Sequence, residues 1–305
     1  MKKHLSLVLL AAVLFLLAGC GREVGTENDD MIGDENSHTF AGYPVVYMSK
    51  DVSPDGISSL LEELDASLTG KTAVELPDNI DETDSITPEL IDAILNSADG
   101  TAPVRGSTTY GTSVLPDTDI LDEDGSIVLT VNGGSVLTET YIGEGFLEYN
   151  NLIVLSYFCL DPDMGFTGVL KDMAMDLASA EGRNWIASGG TSYTDPQCDE
   201  TTKRLHAMGE AGKAVVDSLN GHALYIGVVD EGSLREIGGA DKAVRCIVAS
   251  YDPVALDMAC IDVVTHSKDG TAASQYIGAC NGLYTLGHAE RIGLGSCTYA
   301  LRDIS

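Results

Sequence analysis

Basic residues are scarce in this chain: 17 Lys and Arg stand against 47 Asp and Glu, a formal net charge of −30. So acidic a surface opposes general binding to nucleic acid or to anionic headgroups, although it leaves room for a local basic pocket. No C-x-x-C pair occurs among the seven cysteines, which removes the usual spacing of a redox or zinc site. His206, His222, His266 and His288 show neither H-E-x-x-H nor H-x-H spacing, so a histidine metal site has no sequence support. There is no G-x-S-x-G elbow, and Ser156 precedes a tyrosine, which argues against a serine hydrolase. Asp122-Glu123-Asp124-Gly125 lacks the acids that an EF-hand needs at Ile120 and Val131, and it reads as a solvated turn. Internal repeats are also missing.

What is present begins with MKKHLSLVLLAAVLFLLAGC. Lys2 and Lys3 form a positive start, and Leu5 to Leu17 an apolar core too short for an ordinary membrane-spanning helix. Leu17-Ala18-Gly19-Cys20 then resembles a bacterial lipoprotein signal, with Cys20 as the lipidated residue. The expectation is a signal over residues 1–20 and attachment through Cys20 to the outer side of the cell membrane. Residues 21–41 are polar and acidic, too poor in apolar side chains to offset ordering entropy, and read as a flexible tether. No later run is long and apolar enough to span a bilayer. With Cys20 lipidated, Cys159, Cys198, Cys246, Cys260, Cys280 and Cys297 remain in a compartment that permits disulfides. Cys246 and Cys260 lie in apolar runs and read as small buried thiols.

Residues 42–305 suffice for one large α/β domain, or for two closely joined halves meeting near residue 150. PVVYMS and KTAVEL read as strands, and each is followed by a helix that opens with a capping residue and proline, Ser53-Pro54 and Thr87-Pro88. The first of these helices is expected to run towards Gly70. SIVLTV and SVLTETYI flank Asn132-Gly133-Gly134 as a hairpin. NLIVLSYF, HALYIGVV and VRCIVAS are continuous apolar runs of the kind found inside a covered sheet, and SCTYALRDI reads as a final strand. Asp252-Pro253 opens another helix, with Asp252 as its cap. The expected fold is a mixed, largely parallel α/β sheet with crossover helices on both faces.

The stretch NLIVLSYFCLDPDMGFTGVLKDMAMDLASA holds the main candidate site. A buried strand ending in a loop with Gly165 and Gly168, ahead of a helix carrying Lys171, exposes backbone N–H groups that favour an anion. The spacing is not that of a nucleotide loop, so contact with an anion or cofactor is the most that it supports. Asp257 lies one turn beyond Asp252 and is positioned to face a cleft at the carboxyl edge of the sheet. Two glycines and a lysine also give the loop a distant likeness to lactate-racemase-type proteins, which bind a nickel-containing cofactor.

MGFTGVLKDMAMDLASAEGRNWIASGG, IVASYDPVALDMACIDVV and LGHAERIGLGSCTYALRDI occur here in the order seen in the bacterial family called domain of unknown function 362. The resemblance covers nearly all of the chain from about Val45 onward. It implies membership of a group described by iron–sulfur centres, because many longer members carry ferredoxin-type cysteine runs. It also implies that Lys171, Asp252 and Asp257 match family motifs. Where the family resembles Ser-His-Phe-Lys-Gly-His, this chain has Ser156-Tyr157-Phe158-Cys159-Leu160-Asp161, and Ala187 stands where a histidine is usual. Imidazoles and thiolates are what hold transition metals, so their loss argues against a ferredoxin-type iron–sulfur cluster.

The leading expectation is therefore a tethered protein that binds a small anionic ligand or cofactor through Gly165, Gly168, Lys171, Asp252 and Asp257. One alternative is a metal-dependent or redox enzyme with ligands moved to Asp161, Cys159, Asp252 or Asp257. The other is an envelope interaction module.

Overall fold

The computed structural model describes residues 39–305, apart from 41, 67, 79–82, 99, 108–116 and 240. Cys20, the signal and nearly all of the expected tether lie outside the described residues. The chain begins with strands β1 (Thr39–Phe40) and β2 (Tyr43–Ser49), helix α1 (Pro54–Glu63), β3 (Thr72–Glu75), α2 (Pro88–Leu95), β4 (Thr101–Arg105) and β5 (Asp119–Ile120). A hairpin of β6 (Ser126–Thr130) and β7 (Glu139–Gly143) leads to β8 (Asn151–Tyr157), then β9 (Cys159–Asp161), β10 (Gly165–Thr167), α3 (Val169–Met175), α4 (Ala180–Ala187) and α5 (Thr201–Ser218). The remainder is β11 (Ala223–Val229), β12 (Cys246–Ser250), α6 (Pro253–Thr265), α7 (Gly270–Ala279), α8 (Leu283–Arg291) and β13 (Ala300–Asp303).

One nine-stranded sheet runs in the order β1-β2-β12-β11-β8-β3-β4-β5, with β13 also paired to β2. Strands β11, β8, β3, β4 and β5 are mutually parallel. Strand β12 is antiparallel to both β11 and β2. This is the mixed, largely parallel sheet that the sequence leads one to expect, and strands from before and after residue 150 share it. Its inner strands are buried throughout, so each of their side chains must enter one of two cores. Along β8, Leu152 and Val154 pack with α3, α5 and α6, whereas Ile153 and Leu155 pack with α1 and α2. The period of two in a covered strand thus places helices on both faces.

The three proline-led helix starts are as expected. Ser53 Oγ accepts from Gly56 N at 3.3 Å, Thr87 Oγ1 from Leu90 N at 3.3 Å, and Asp252 Oδ1 from Ala255 N at 2.8 Å. Helix α1 stops at Glu63 rather than near Gly70, because Asp65 enters the left-handed region at φ 46°. The glycine loop expected after β8 is a short antiparallel hairpin, β9 with β10, ahead of α3. Helices α7 and α8 were not signalled, and neither start has a side-chain cap.

From β3 the sheet grows outward through β4 and β5, and from β8 it grows the other way through β11. The carboxyl ends of β3 and β8 therefore diverge at a topological switch point, where doubly wound sheets leave a crevice.

The β6–β7 hairpin is fastened by one buried acid. Glu210 on α5 accepts from the backbone N–H groups of Ser135 (2.7 Å), Val136 (3.1 Å) and Leu137 (2.6 Å), and from His288 Nε2 at 2.7 Å. A guanidinium can only donate, so Arg291 Nη2, 2.9 Å from His288 Nδ1, fixes the ring proton on Nε2. Burial alone would raise the Glu210 pKa, but His288 and the three amides outweigh it and bring it down to about 2. Its stabilising contribution is therefore present above its ordinary value of 4.5 and lost as pH falls towards about 2. Glu210→Gln places an amide NH2 against these donors and should cost about 3 kcal/mol in urea unfolding at neutral pH.

A carboxylate cluster at the switch point as the candidate functional site

Asp257, fully buried on α6, accepts from Val169 N at 2.9 Å and Leu170 N at 3.1 Å. These are the first amides of α3, which has no cap of its own because Gly168 precedes it. A Cβ at Gly168 would come within 2.3 Å of Asp257 Oδ1, so glycine is needed there to admit the carboxylate. The helix start that was expected to hold an external anion is thus filled by the protein's own acid. Burial pushes Asp257 up to about 8, against the pull of the two amides.

The other expected residues separate. Gly165, at φ 87°, turns the β9–β10 hairpin against Gly282, whose Cα would lie 2.7 Å from an added Cβ. Asp161 Oδ1 accepts from Asp163 N (2.9 Å) and Met164 N (2.8 Å) and so forms the hairpin turn. Asp252 caps α6 and also accepts from Ser296 N at 3.0 Å, which ties the carboxyl-terminal loop to that helix. Cys159 Sγ lies 3.2 Å from Thr167 Oγ1. Gly168 and Asp257 meet, then, but Gly165, Asp161 and Asp252 serve turns and caps elsewhere.

Lys171 points to a different group, which the sequence reading missed. Its Nζ lies 3.4 Å from Asp172 Oδ1, and it interacts electrostatically with Asp176, Asp78 and Arg183. Asp172 and Asp176 are four residues apart on one face of α3 and are both buried. Glu75, also buried, ends β3, in register with Val154 of β8, and so projects towards the α3 face of the sheet. Two residues beyond Val154 on the same face is Ser156. Asp78, just past the end of β3, pairs with Arg105 Nη1 at 2.6 Å and Arg183 Nη2 at 3.1 Å, and Arg183 also pairs with Asp176.

What distinguishes this cluster is its unmet hydrogen bonding. Both Glu75 carboxylate oxygens, Asp172 Oδ2, Asp176 Oδ2 and Ser156 Oγ are buried without a hydrogen bond of ordinary length, the Ser156 hydroxyl standing beside Asp172. Such orphaned groups are costly and call for a partner. The neighbouring half of the same edge is closed by contrast. There Asp230, at the end of β11, accepts from Tyr157 Oη (2.7 Å), Ser85 Oγ (2.7 Å), Gly232 N (2.8 Å) and Thr83 Oγ1. Tyr157, at the position where the family resemblance sets a histidine, is spent on that network. A larger cleft of about 940 Å3 lies at the opposite edge, between the amino ends of β3, β8 and β11, and none of its lining residues carries a buried unpartnered atom.

Electrostatics follow from burial. Glu75 is raised well above its usual range by desolvation, then by Asp172, Asp176 and Asp78. Desolvation likewise pushes Asp172 up to about 7, although Lys171 and the Ser156 hydroxyl beside it pull the other way. Asp176 is raised by burial against Lys171 and Arg183. Lys171 itself is held above its ordinary value: burial lowers it, but Asp176 and Asp172 prevail. Two acids whose hold on a proton is strengthened by burial thus stand beside a charged amine.

Iron–sulfur ligation does not fit this arrangement. Among the described residues the six cysteines form no disulfide and lie on separate elements, and no group of three His, Cys, Asp or Glu is arranged to hold a metal ion. Asp161, Cys159, Asp252 and Asp257 likewise form no common ligand set.

The signals for the missed residues were present. Glu75 is a charge at the end of an apolar strand, and Asp172 and the C-cap Asp176 are acids four residues apart in a largely apolar helical stretch. Their raised pKa values also set a pH dependence. Unfolded, Glu75 and Asp172 titrate near 4.5 and 3.8, whereas folded they keep their protons to higher pH, Asp172 to about 7. The folded state therefore binds more protons across that window, and stability falls as pH rises through it. The urea midpoint should be higher at about pH 5 than at about pH 8, and Glu75→Gln should raise the value at pH 8 and flatten the slope; an unchanged slope in that variant would show that Glu75 is not held neutral.

None of the curated proteins matches the chain. Among solved structures, a Thermotoga maritima protein is similar over 68% of this chain and 57% of its own, at 14% identity and a TM-score of 0.45. The lactate racemase apoprotein from Thermoanaerobacterium thermosaccharolyticum is similar over 77% of this chain and 59% of its own, at 12% identity and a TM-score of 0.46. This chain spans less than two thirds of the length of either, and neither likeness carries an argument about function. The model of one family, described as domain of unknown function (DUF362), matches residues 105–262, and the chain belongs to that family.

Proposed function

We propose that this DUF362 protein is an extracytoplasmic lipoprotein, anchored through Cys20, that holds a small hydrogen-bond-donating molecule at the switch point of its sheet. The observation that supports binding is the grouping of Glu75, Asp172, Asp176 and Ser156, each with at least one buried polar atom that lacks a hydrogen-bond partner. An anion at the start of α3 is not carried forward, because Asp257 already accepts from those amides. Free carboxylate oxygens accept, so the ligand must donate. A crevice lined by Asp78, Arg105, Arg183 and Asp176 has about 170 Å3 of empty space but no room for a water-sized sphere, so a ligand that reaches the cluster from that side must part these ion pairs.

A second reading is favoured by the Asp172 pKa near 7 beside Lys171. A carboxylate so placed can accept a proton from a bound molecule, with Glu75 as a proton donor. It uses the same site and would show itself as conversion of the bound molecule.

Anchoring rests on the amino-terminal pattern and is tested separately. Cells given a labelled fatty acid should incorporate it into this protein, and Cys20→Ser should abolish both label and membrane association. Binding is tested by screening small amines and polyols for a rise in the thermal unfolding midpoint. Asp176→Asn should weaken any response by about tenfold, the value of one charge-assisted hydrogen bond. If no donor raises the midpoint, the cluster is an internal ion network and the binding reading falls.

A further inference from the structure

We infer that the group this site recognises is a single ammonium head, a primary amine bearing three N–H donors and one positive charge. The inference rests on the binding reading above and narrows it to one ligand class. The first support is the acceptor count. Glu75 Oε1 and Oε2, Asp172 Oδ2 and Asp176 Oδ2 are all buried and unpartnered. A protonated primary amine offers three donors on one atom, whereas a hydroxyl offers one.

Charge balance is the second support. The cluster contains the acids Glu75, Asp78, Asp172 and Asp176 and the bases Lys171, Arg105 and Arg183. With every group ionised the acids exceed the bases by one, which leaves room for one positive charge. Asp257 borders the cluster through Asp172, but its oxygens are bound to the amides of Val169 and Leu170.

Recognition of this kind exchanges one cation for another. Without ligand, burial and the neighbouring acids Asp172, Asp176 and Asp78 favour the protonated, neutral form of Glu75. When the ammonium enters, the Glu75 O–H bond breaks, the proton leaves to solvent and the carboxylate accepts from the amine. The charge of the site is the same before and after, which is how a buried pocket admits an ion without a large electrostatic penalty.

The test uses the full mature protein with methylammonium, potassium, tetramethylammonium and ethylene glycol as probes, at matched ionic strength. Thermal unfolding and titration calorimetry are the readouts, the latter in two buffers of different ionisation enthalpy near pH 6. Methylammonium should raise the midpoint and release up to one proton per site, whereas potassium and tetramethylammonium should do neither. Glu75→Gln has the shape of the protonated acid and should fold, yet bind methylammonium at least about tenfold more weakly and release no proton. Asp172→Asn gives the same readout if that variant fails to fold. Should ethylene glycol or potassium act as strongly as methylammonium, the ammonium assignment is overturned while the binding reading stands. If none of the probes acts, both are overturned.

Discussion

The carboxyl edge of this protein depends on one contact, the Asp257 carboxylate seated on the first two amides of α3. It joins two crossover helices end to side and supplies the cap that Gly168 cannot. Because it fixes where α3 starts, it also fixes which residues of that helix lie over β3 and β8. Lys171 and Asp172 fall in the first turn, and Asp176 follows one turn on, above Glu75 and Ser156. The same contact fills the helix start, so the anion site that a glycine loop suggests is occupied from within.

The two halves of this edge show opposite solutions to the burial of polar atoms. Around Asp230, four donors satisfy one carboxylate, and Tyr157 belongs to that closed network. Around Glu75, four acids and three bases are grouped, and several of the carboxylate oxygens have no partner. A protein gains nothing in stability from the second arrangement, since packed apolar residues would serve better. Its retention beside a fully satisfied network is the structural reason for reading it as a binding site.

Much of the architecture was legible in the sequence, because its determinants are local. The pairs Ser53-Pro54, Thr87-Pro88 and Asp252-Pro253 each open a helix, and the unbroken apolar runs of β8 and β11 are the centre of the sheet. The β9–β10 hairpin was not legible, because the contact that needs Gly165 comes from Gly282, far along the chain. The site was half legible. Lys171 is visible as a charge after a glycine loop, whereas its distant partners Glu75, Asp78 and Arg183 reach it from the end of β3 and from α4, and only the tertiary fold brings those segments together. A linear reading also overvalued Asp161 and Asp252, since a carboxylate that makes a turn or a cap looks the same in sequence as one that waits for a ligand.

Strand β11 carries Gly227 at its centre, where an added Cβ would lie 3.0 Å from Cys260 Sγ. Helix α6 can therefore press against the sheet, and Cys260 and Cys246 are sealed in the core with their thiols raised by desolvation. Sulfurs so enclosed are inert to oxidants, whatever the redox potential outside. Alkylation of either requires the central layers to open, so with a reagent that outpaces reclosing its rate becomes a clock for how often the interior breathes.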